Sequence, residues 1–190
     1  MFCPRGGART LGQFALVSYL PDPLACFLDR LRRDLTPDCN PRAHVTVLPP
    51  RPFSGELQKT IEELSEESRL FPPFEVELGD ISVFPVTNVV YLSLKSGERN
   101  LHALQENLNA GQLEYDGPYP YHPHITIAQD FDPEQLNAIL AAAREGWAKY
   151  TGSRWFTVEC LSFVQNVAPQ TWVDVAKIPL AQPIPVESAA

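Results

Sequence analysis

A six-residue pattern occurs twice in this chain and constrains its fold more than any other feature. Arg42-Ala43-His44-Val45-Thr46-Val47 matches His122-Pro123-His124-Ile125-Thr126-Ile127. Each copy precedes a stretch whose apolar residues recur at helical spacing. Each such stretch precedes a Phe-x-Val-Glu segment, at Phe74–Glu77 and at Phe156–Glu159. The motif histidine and that Phe are 30 residues apart in the first copy and 32 in the second. A further apolar segment begins 15 residues after the Phe in both copies, at Val89 and at Thr171. Three matches in register imply two structurally similar halves, about 40–95 and 120–178, within a single bilobal domain spanning 1–190. The period is too long, and the copies too few, for a solenoid.

Alternation and helical spacing place the elements. Phe14 to Leu20 reads as a strand. Pro21-Asp22-Pro23 opens a helix with Leu24, Phe27, Leu28 and Leu31 on its inner face, and Asp29, Arg30, Arg32 and Arg33 off it. Residues 42–48 read as a strand, followed by a rigid turn at Leu48-Pro49-Pro50-Arg51-Pro52 and a helix capped by Ser54 that runs to about Leu70. Three short strands are expected at 74–78, 81–84 and 89–94, and a helix at 98–109. A loop rich in Gly, Tyr and Pro then leads to a strand at 123–128. Asp132 and Pro133 have the chemistry of a helix start, with the helix running to about 147. Two last strands fall near 155–165 and 171–177. The ends, 1–12 and from Pro179 onward, look loose or extended.

Within a strand, residues two apart share a face. His44 and Thr46 therefore lie together with Val45 and Val47 turned into a core, and His124 and Thr126 lie together with Ile125 and Ile127 turned away. Two similar halves packed about a pseudo-twofold axis would point all four polar groups into one cleft. That set suits the opening of a cyclic phosphodiester. One proton must leave the attacking water and another must reach the departing oxygen. Two imidazoles on opposite sides of the phosphorus do both near neutral pH. Threonine hydroxyls can donate to the phosphoryl oxygens where charge develops. This chemistry requires no metal and no cofactor.

The twin motifs resemble those of the two-histidine phosphoesterase superfamily, which includes proteins named 2′-5′ RNA ligase and RNA 2′,3′-cyclic phosphodiesterase. The resemblance extends from Phe14 to about Lys177. It implies an α+β fold of two pseudo-symmetric lobes, each an antiparallel sheet with flanking helices, around a central cleft. It also implies hydrolysis of a 2′,3′-cyclic or related phosphodiester of a nucleotide or RNA end, with His44 and His124 as acid and base and Thr46 and Thr126 on the phosphate. The chain departs from RNA-ligase-type members at Leu48–Phe53, where they tend to carry Phe-Leu-Gly, and at Gln129, where they often carry Arg.

Neighbouring residues extend the expected site. Arg42 and His122 occupy matching places two residues before the motif histidines, and Tyr119 and Tyr121 lead into the second motif. Arg42, Tyr121 and His122 are candidate substrate contacts; a solvated strand end and loop packing are the plainer roles. His102 reads as a surface residue. Two other readings stand beside the enzyme. One is a metal site built on His44, His122 and His124, for which neither copy supplies a matching carboxylate or thiolate. The other is a catalytically idle module that binds a nucleotide or RNA end.

Composition bounds the partners. The formal net charge is −8, whereas proteins that grip long nucleic-acid tracts through phosphates are usually basic. A small anionic substrate or a single RNA end remains compatible, and a membrane surface is not expected. The four cysteines, Cys3, Cys26, Cys39 and Cys160, are scattered and read as reduced thiols. With no apparent leader or spanning segment, a monomeric cytoplasmic protein is expected.

Overall fold

The computed structural model describes residues 12–37, 42–169 and 171–181. The elements run β1 (Phe14–Tyr19), α1 (Leu24–Leu35), β2 (His44–Arg51), α2 (Leu57–Ser68), β3 (Phe74–Val83), β4 (Val90–Ser96), α3 (Glu98–Leu108), β5 (Ile125–Ala128), α4 (Leu136–Ala148), β6 (Trp155–Val158), β7 (Cys160–Ala168) and β8 (Thr171–Pro179). They form two four-stranded sheets in the orders β2-β1-β7-β8 and β5-β4-β3-β6, and every pairing is antiparallel. This is the expected α+β architecture of two antiparallel sheets with flanking helices. The first sheet joins the two ends of the chain and the second holds the middle. The chain passes between sheets at Glu159, the single residue separating β6 from β7. The two Phe-x-Val-Glu segments meet, with Val76 opposite Phe156 and Phe74 opposite Val158.

Both motif strands sit at sheet edges, β2 in one sheet and β5 in the other, and these edges lie against one another. Burial follows the expected alternation. Val45, Val47, Ile125 and Ile127 are buried in the core, while His44, Thr46, His124 and Thr126 are half-buried on the opposite faces. Fully burying one such aliphatic side chain is worth about 1.5–3 kcal/mol, so a one-residue slip that turned the motif over would be costly. The helices close the core with evenly spaced leucines, Leu24, Leu28 and Leu31 on α1 and Leu101, Leu104 and Leu108 on α3. Asp132 caps a short 3-10 turn, Pro133–Gln135, that leads into α4, as its sequence signal indicates.

Several local expectations need correction. β2 continues through Pro49 and Pro50 to Arg51, where a rigid turn was expected. An edge strand tolerates proline because one side of its backbone has no ladder to complete, and a register shift falls there between Leu48 and Arg51. Arg51 is buried and ties the strand end to the Pro49 and Leu113 carbonyls and the Asn109 side chain. The helix expected from Ser54 starts at Leu57 with no side-chain cap. The strands expected at 74–78 and 81–84 are one strand, β3, with a register shift between Leu78 and Ile81; Trp147 Nε1 donates to the Gly79 carbonyl there at 3.0 Å. On α1, Arg32 is buried rather than solvated.

The ends are more ordered than expected where they are described. Gly12 donates its N–H to Asn166, β8 reaches Pro179, and Leu180 is buried. The rest of the ends expected to be loose, residues 1–11 and 182–190, and Cys3 and Cys39, lie outside the described residues. Cys26 and Cys160 are free thiols. Among the described residues no helix is long and apolar enough to cross a membrane.

Candidate active site

His44 opens β2 and His124 immediately precedes β5. Each ring is held in the same way by its own strand. His44 Nδ1 lies 2.8 Å from the carbonyl oxygen of Arg42, and His124 Nδ1 lies 2.7 Å from the carbonyl oxygen of His122. A carbonyl oxygen can only accept, so in both rings Nδ1 carries the hydrogen. Nε2 is then the free position, a base when the ring is neutral and an acid when it is protonated. The two rings interact electrostatically, a charge on His124 disfavouring one on His44. Thr46 lies opposite Val17 and Thr126 opposite Tyr91. Among the described residues neither threonine hydroxyl donates to a protein acceptor, so both can donate to a ligand.

The walls around the two histidines differ. Tyr19, directly opposite His44, meets it edge-on at 6.3 Å. His124 packs edge-on against Phe84 at 5.0 Å and Tyr91 at 5.3 Å, and those two rings stack at 4.0 Å. Burial depresses both imidazoles. The His44 pKa is pushed down from 6.5 to about 4, mainly by desolvation and further by the positive charges of Arg32, His124 and Arg42, against the backbone hydrogen bond that raises it. The His124 pKa is lowered by desolvation and by His122, again against its backbone hydrogen bond. Near neutral pH both rings are therefore neutral in the unliganded protein.

The other sequence candidates take definite places. Arg42 does not stand as a free cation. Its Nη1 donates to both carboxylate oxygens of Asp174 at 3.0 Å, and its guanidinium lies 3.4 Å above the Tyr19 ring. Tyr19 completes the triangle by donating its hydroxyl to Asp174 at 2.8 Å. Tyr121 donates its hydroxyl to the Thr46 carbonyl at 2.9 Å, so it bridges the segment before β5 to β2. His122 is exposed, edge-on to Phe84 at 5.1 Å and Tyr91 at 5.6 Å. Tyr119 is exposed and makes none of these contacts. His102 packs edge-on against Tyr121 at 5.1 Å and lies 3.7 Å from Glu98, so it is more than a bare surface residue. An open cavity of about 450 Å³ adjoins the Tyr19–Arg42 wall, with Ser162, Thr157, Cys160 and Lys177 among its lining residues; the two histidines are not among them.

Three residues near the site carry no motif. Asp29 on α1 accepts the Ala43 N–H at 2.6 Å. Arg32, one helical turn on, is the first of the positive charges that lower the His44 pKa, after desolvation. Asp174 comes from β8, at the opposite edge of the sheet from β2. The matched copies differ at the residue between the motif histidine and its holding carbonyl, where Ala43 has an N–H to donate and Pro123 has none. Among the described residues no group of three or more His, Cys, Asp or Glu is arranged to hold a metal ion.

Comparison with known proteins identifies a family and a fold. The family model described as the 2′-5′ RNA ligase superfamily matches residues 20–168. A curated protein of Oceanobacillus iheyensis named "Putative phosphoesterase" is 34% identical over 85 residues, covering 44% of this chain and 49% of that protein. One from Bacillus licheniformis with the same description is 29% identical over 103 residues, covering 53% and 60%. The chain thus spans about half the length of the curated relatives it matches. Among solved structures, E. coli LigT complexed with NADP+ superposes with a TM-score of 0.62 at 17% identity, covering 91% of this chain and all of that one. Kluyveromyces marxianus Usb1 superposes with a TM-score of 0.54 at 13% identity, covering 92% of this chain. At such identities the likeness is one of fold. The match of the family model over most of the chain is of another order: the chain belongs to the 2′-5′ RNA ligase superfamily.

Proposed function

We propose that this protein hydrolyses a 2′,3′-cyclic or related phosphodiester of a nucleotide or RNA end, without a metal, by paired-histidine acid–base catalysis. The observation that carries the reading is the matched orientation of His44 and His124. Both Nδ1 atoms are tied to backbone carbonyls, and both Nε2 atoms are left for chemistry. His44, with the pKa near 4, is suited to stay neutral and act as base. His124 takes up a proton when the phosphate anion binds beside it, because a nearby negative charge favours the imidazolium. In the reaction His44 Nε2 accepts a proton from water as the water oxygen attacks phosphorus. The bond from phosphorus to one ring oxygen breaks, and His124 gives its proton to that oxygen. Thr46 and Thr126 donate to the non-bridging oxygens.

Nucleotide chemistry is supported by the relatives' complexes: LigT has been solved with ATP, with NADP+ and with 3′-AMP. The aromatic cluster of Phe84, Tyr91 and His122 beside His124 is the candidate platform for a base, and Arg42, paired with Asp174 yet half-exposed, is a candidate contact for the ligand. Tyr121 sets the spacing of the motif strands. The net charge of −8 favours a small ligand or one strand end over a long tract. Incubation with nucleoside 2′,3′-cyclic phosphates after exhaustive chelation tests the reading. Ring opening to a monophosphate is expected. An unchanged ligand that stays bound would make the protein a binding module, and activity restored only by zinc would make it a metalloenzyme.

A further inference from the structure

The structure assigns Asp29 as a positioning residue for His44, acting through a single peptide group. The peptide between Arg42 and Ala43 is used at both ends. Its carbonyl oxygen accepts from His44 Nδ1 at 2.8 Å, and its N–H donates to Asp29 Oδ1 at 2.6 Å. Because a peptide unit is planar, a carboxylate that fixes the N–H also fixes where the carbonyl points. Asp29 therefore sets the direction and tautomer of an imidazole that it does not touch.

The link is electronic as well as steric. An N–H donated to an ionised carboxylate makes a strong hydrogen bond. The resulting polarisation strengthens the carbonyl of the same peptide as an acceptor. The chain carboxylate, peptide, imidazole resembles a direct carboxylate–histidine contact with one amide inserted. The remaining neighbours of this peptide are also held. The Arg42 side chain is clamped by Asp174 and Tyr19, and the Ala43 carbonyl accepts from Leu20 N–H at 3.1 Å.

The second copy solves the same problem differently. Pro123 stands where Ala43 does, so the peptide after His122 has no N–H to hold. There the proline ring restricts the backbone in place of a partner. Asp29 is thus required on one side of the site only, and its loss should disturb His44 and leave His124 alone. Its importance for catalysis rests on the proposed function; its control of the ring does not.

The test is the nitrogen-15 NMR spectrum of both imidazoles at a fixed neutral pH in the full chain, for the wild type, Asp29→Asn and Asp29→Ala. In the wild type both rings should show one protonated nitrogen, Nδ1. In Asp29→Ala the two His44 nitrogen shifts should converge as the tautomers mix, while His124 keeps its shifts. Asp29→Asn, which retains an acceptor oxygen but no charge, should show a smaller change of the same sign. With nucleoside 2′,3′-cyclic phosphate, Asp29→Ala should lower kcat by about 10- to 100-fold with little change in KM. Unchanged His44 shifts in a folded Asp29 variant, or equal changes at both histidines, would overturn the assignment. A wild type that turns over no cyclic phosphate would overturn the proposed function instead, and the shifts would still decide the role of Asp29.

Discussion

His44 and Arg42 are joined twice over: they neighbour Ala43 on either side, and the His44 ring reaches back 2.8 Å to the Arg42 carbonyl. The same closed loop recurs at His124 and His122, at 2.7 Å. A strand cannot satisfy such a carbonyl from its ladder at a sheet edge's end, so the ring takes it, and taking it fixes the tautomer. The motif therefore carries its own orienting group in the backbone, and the side chain two residues before each histidine is released for other work.

The pH dependence of kcat/KM, which reports the free enzyme, should be displaced toward acid. A base must be deprotonated, so activity rises as pH climbs through about 4, the His44 value. An acid must be protonated, so activity falls as pH climbs past the His124 value, which lies below 6.5. The maximum should sit between these limits, with apparent values that belong to the coupled pair. A profile that rises steadily through pH 8 would contradict this.

Stability should carry the same signature. The folded His44 pKa is depressed, so the unfolded chain binds the extra proton first as pH falls. The contribution of the neutral ring is fully present above pH 6.5 and is lost as pH drops toward 4. Partial exposure of the ring reduces the effect to roughly 1–2 kcal/mol. Urea midpoints measured from pH 7 to pH 4 should fall more steeply for the wild type than for His44→Gln.

Removing Arg32 should relieve His44. Arg32 is buried, and its Nε has no hydrogen-bond partner among the described residues. Arg32→Met keeps the packing and removes the charge. The His44 pKa, followed by NMR titration, should rise, and stability should hold or improve by about 1–2 kcal/mol.

Tyr121→Phe should separate scaffolding from substrate contact. It deletes the hydrogen bond to the Thr46 carbonyl that ties the two motif edges. A loss of about 1 kcal/mol in thermal or urea unfolding is expected, with a fall in kcat exceeding any rise in KM. A change confined to KM would place the ring on the substrate instead.

Much of this was legible in the chain because it depends on local periods. Alternation put His44 and Thr46 on one face and Val45 on the other, and it did so again around His124. Asp132-Pro133 marked a helix start because capping is a short-range interaction. What stayed hidden depends on contacts far apart in sequence. Asp174 reaches Arg42 across 132 residues, and no period connects them. Arg32 looked solvated because a helical wheel assumes one buried face, yet α1 packs against both α4 and β5. Pro49 and Pro50 read as a turn because edge position is a property of the sheet, which the strand's own residues do not encode. The exchange of strands between the two sheets is likewise a matter of pairing order.

The most direct test is turnover of a nucleoside 2′,3′-cyclic phosphate by the wild type, His44→Ala, His124→Ala and the double variant, with chelator present throughout. If the two imidazoles act as one acid–base unit, each single variant should lose on the order of 10²–10⁴ in kcat, and the double variant should be little worse than either. Near wild-type turnover by His44→Ala or by His124→Ala would contradict the paired-histidine mechanism.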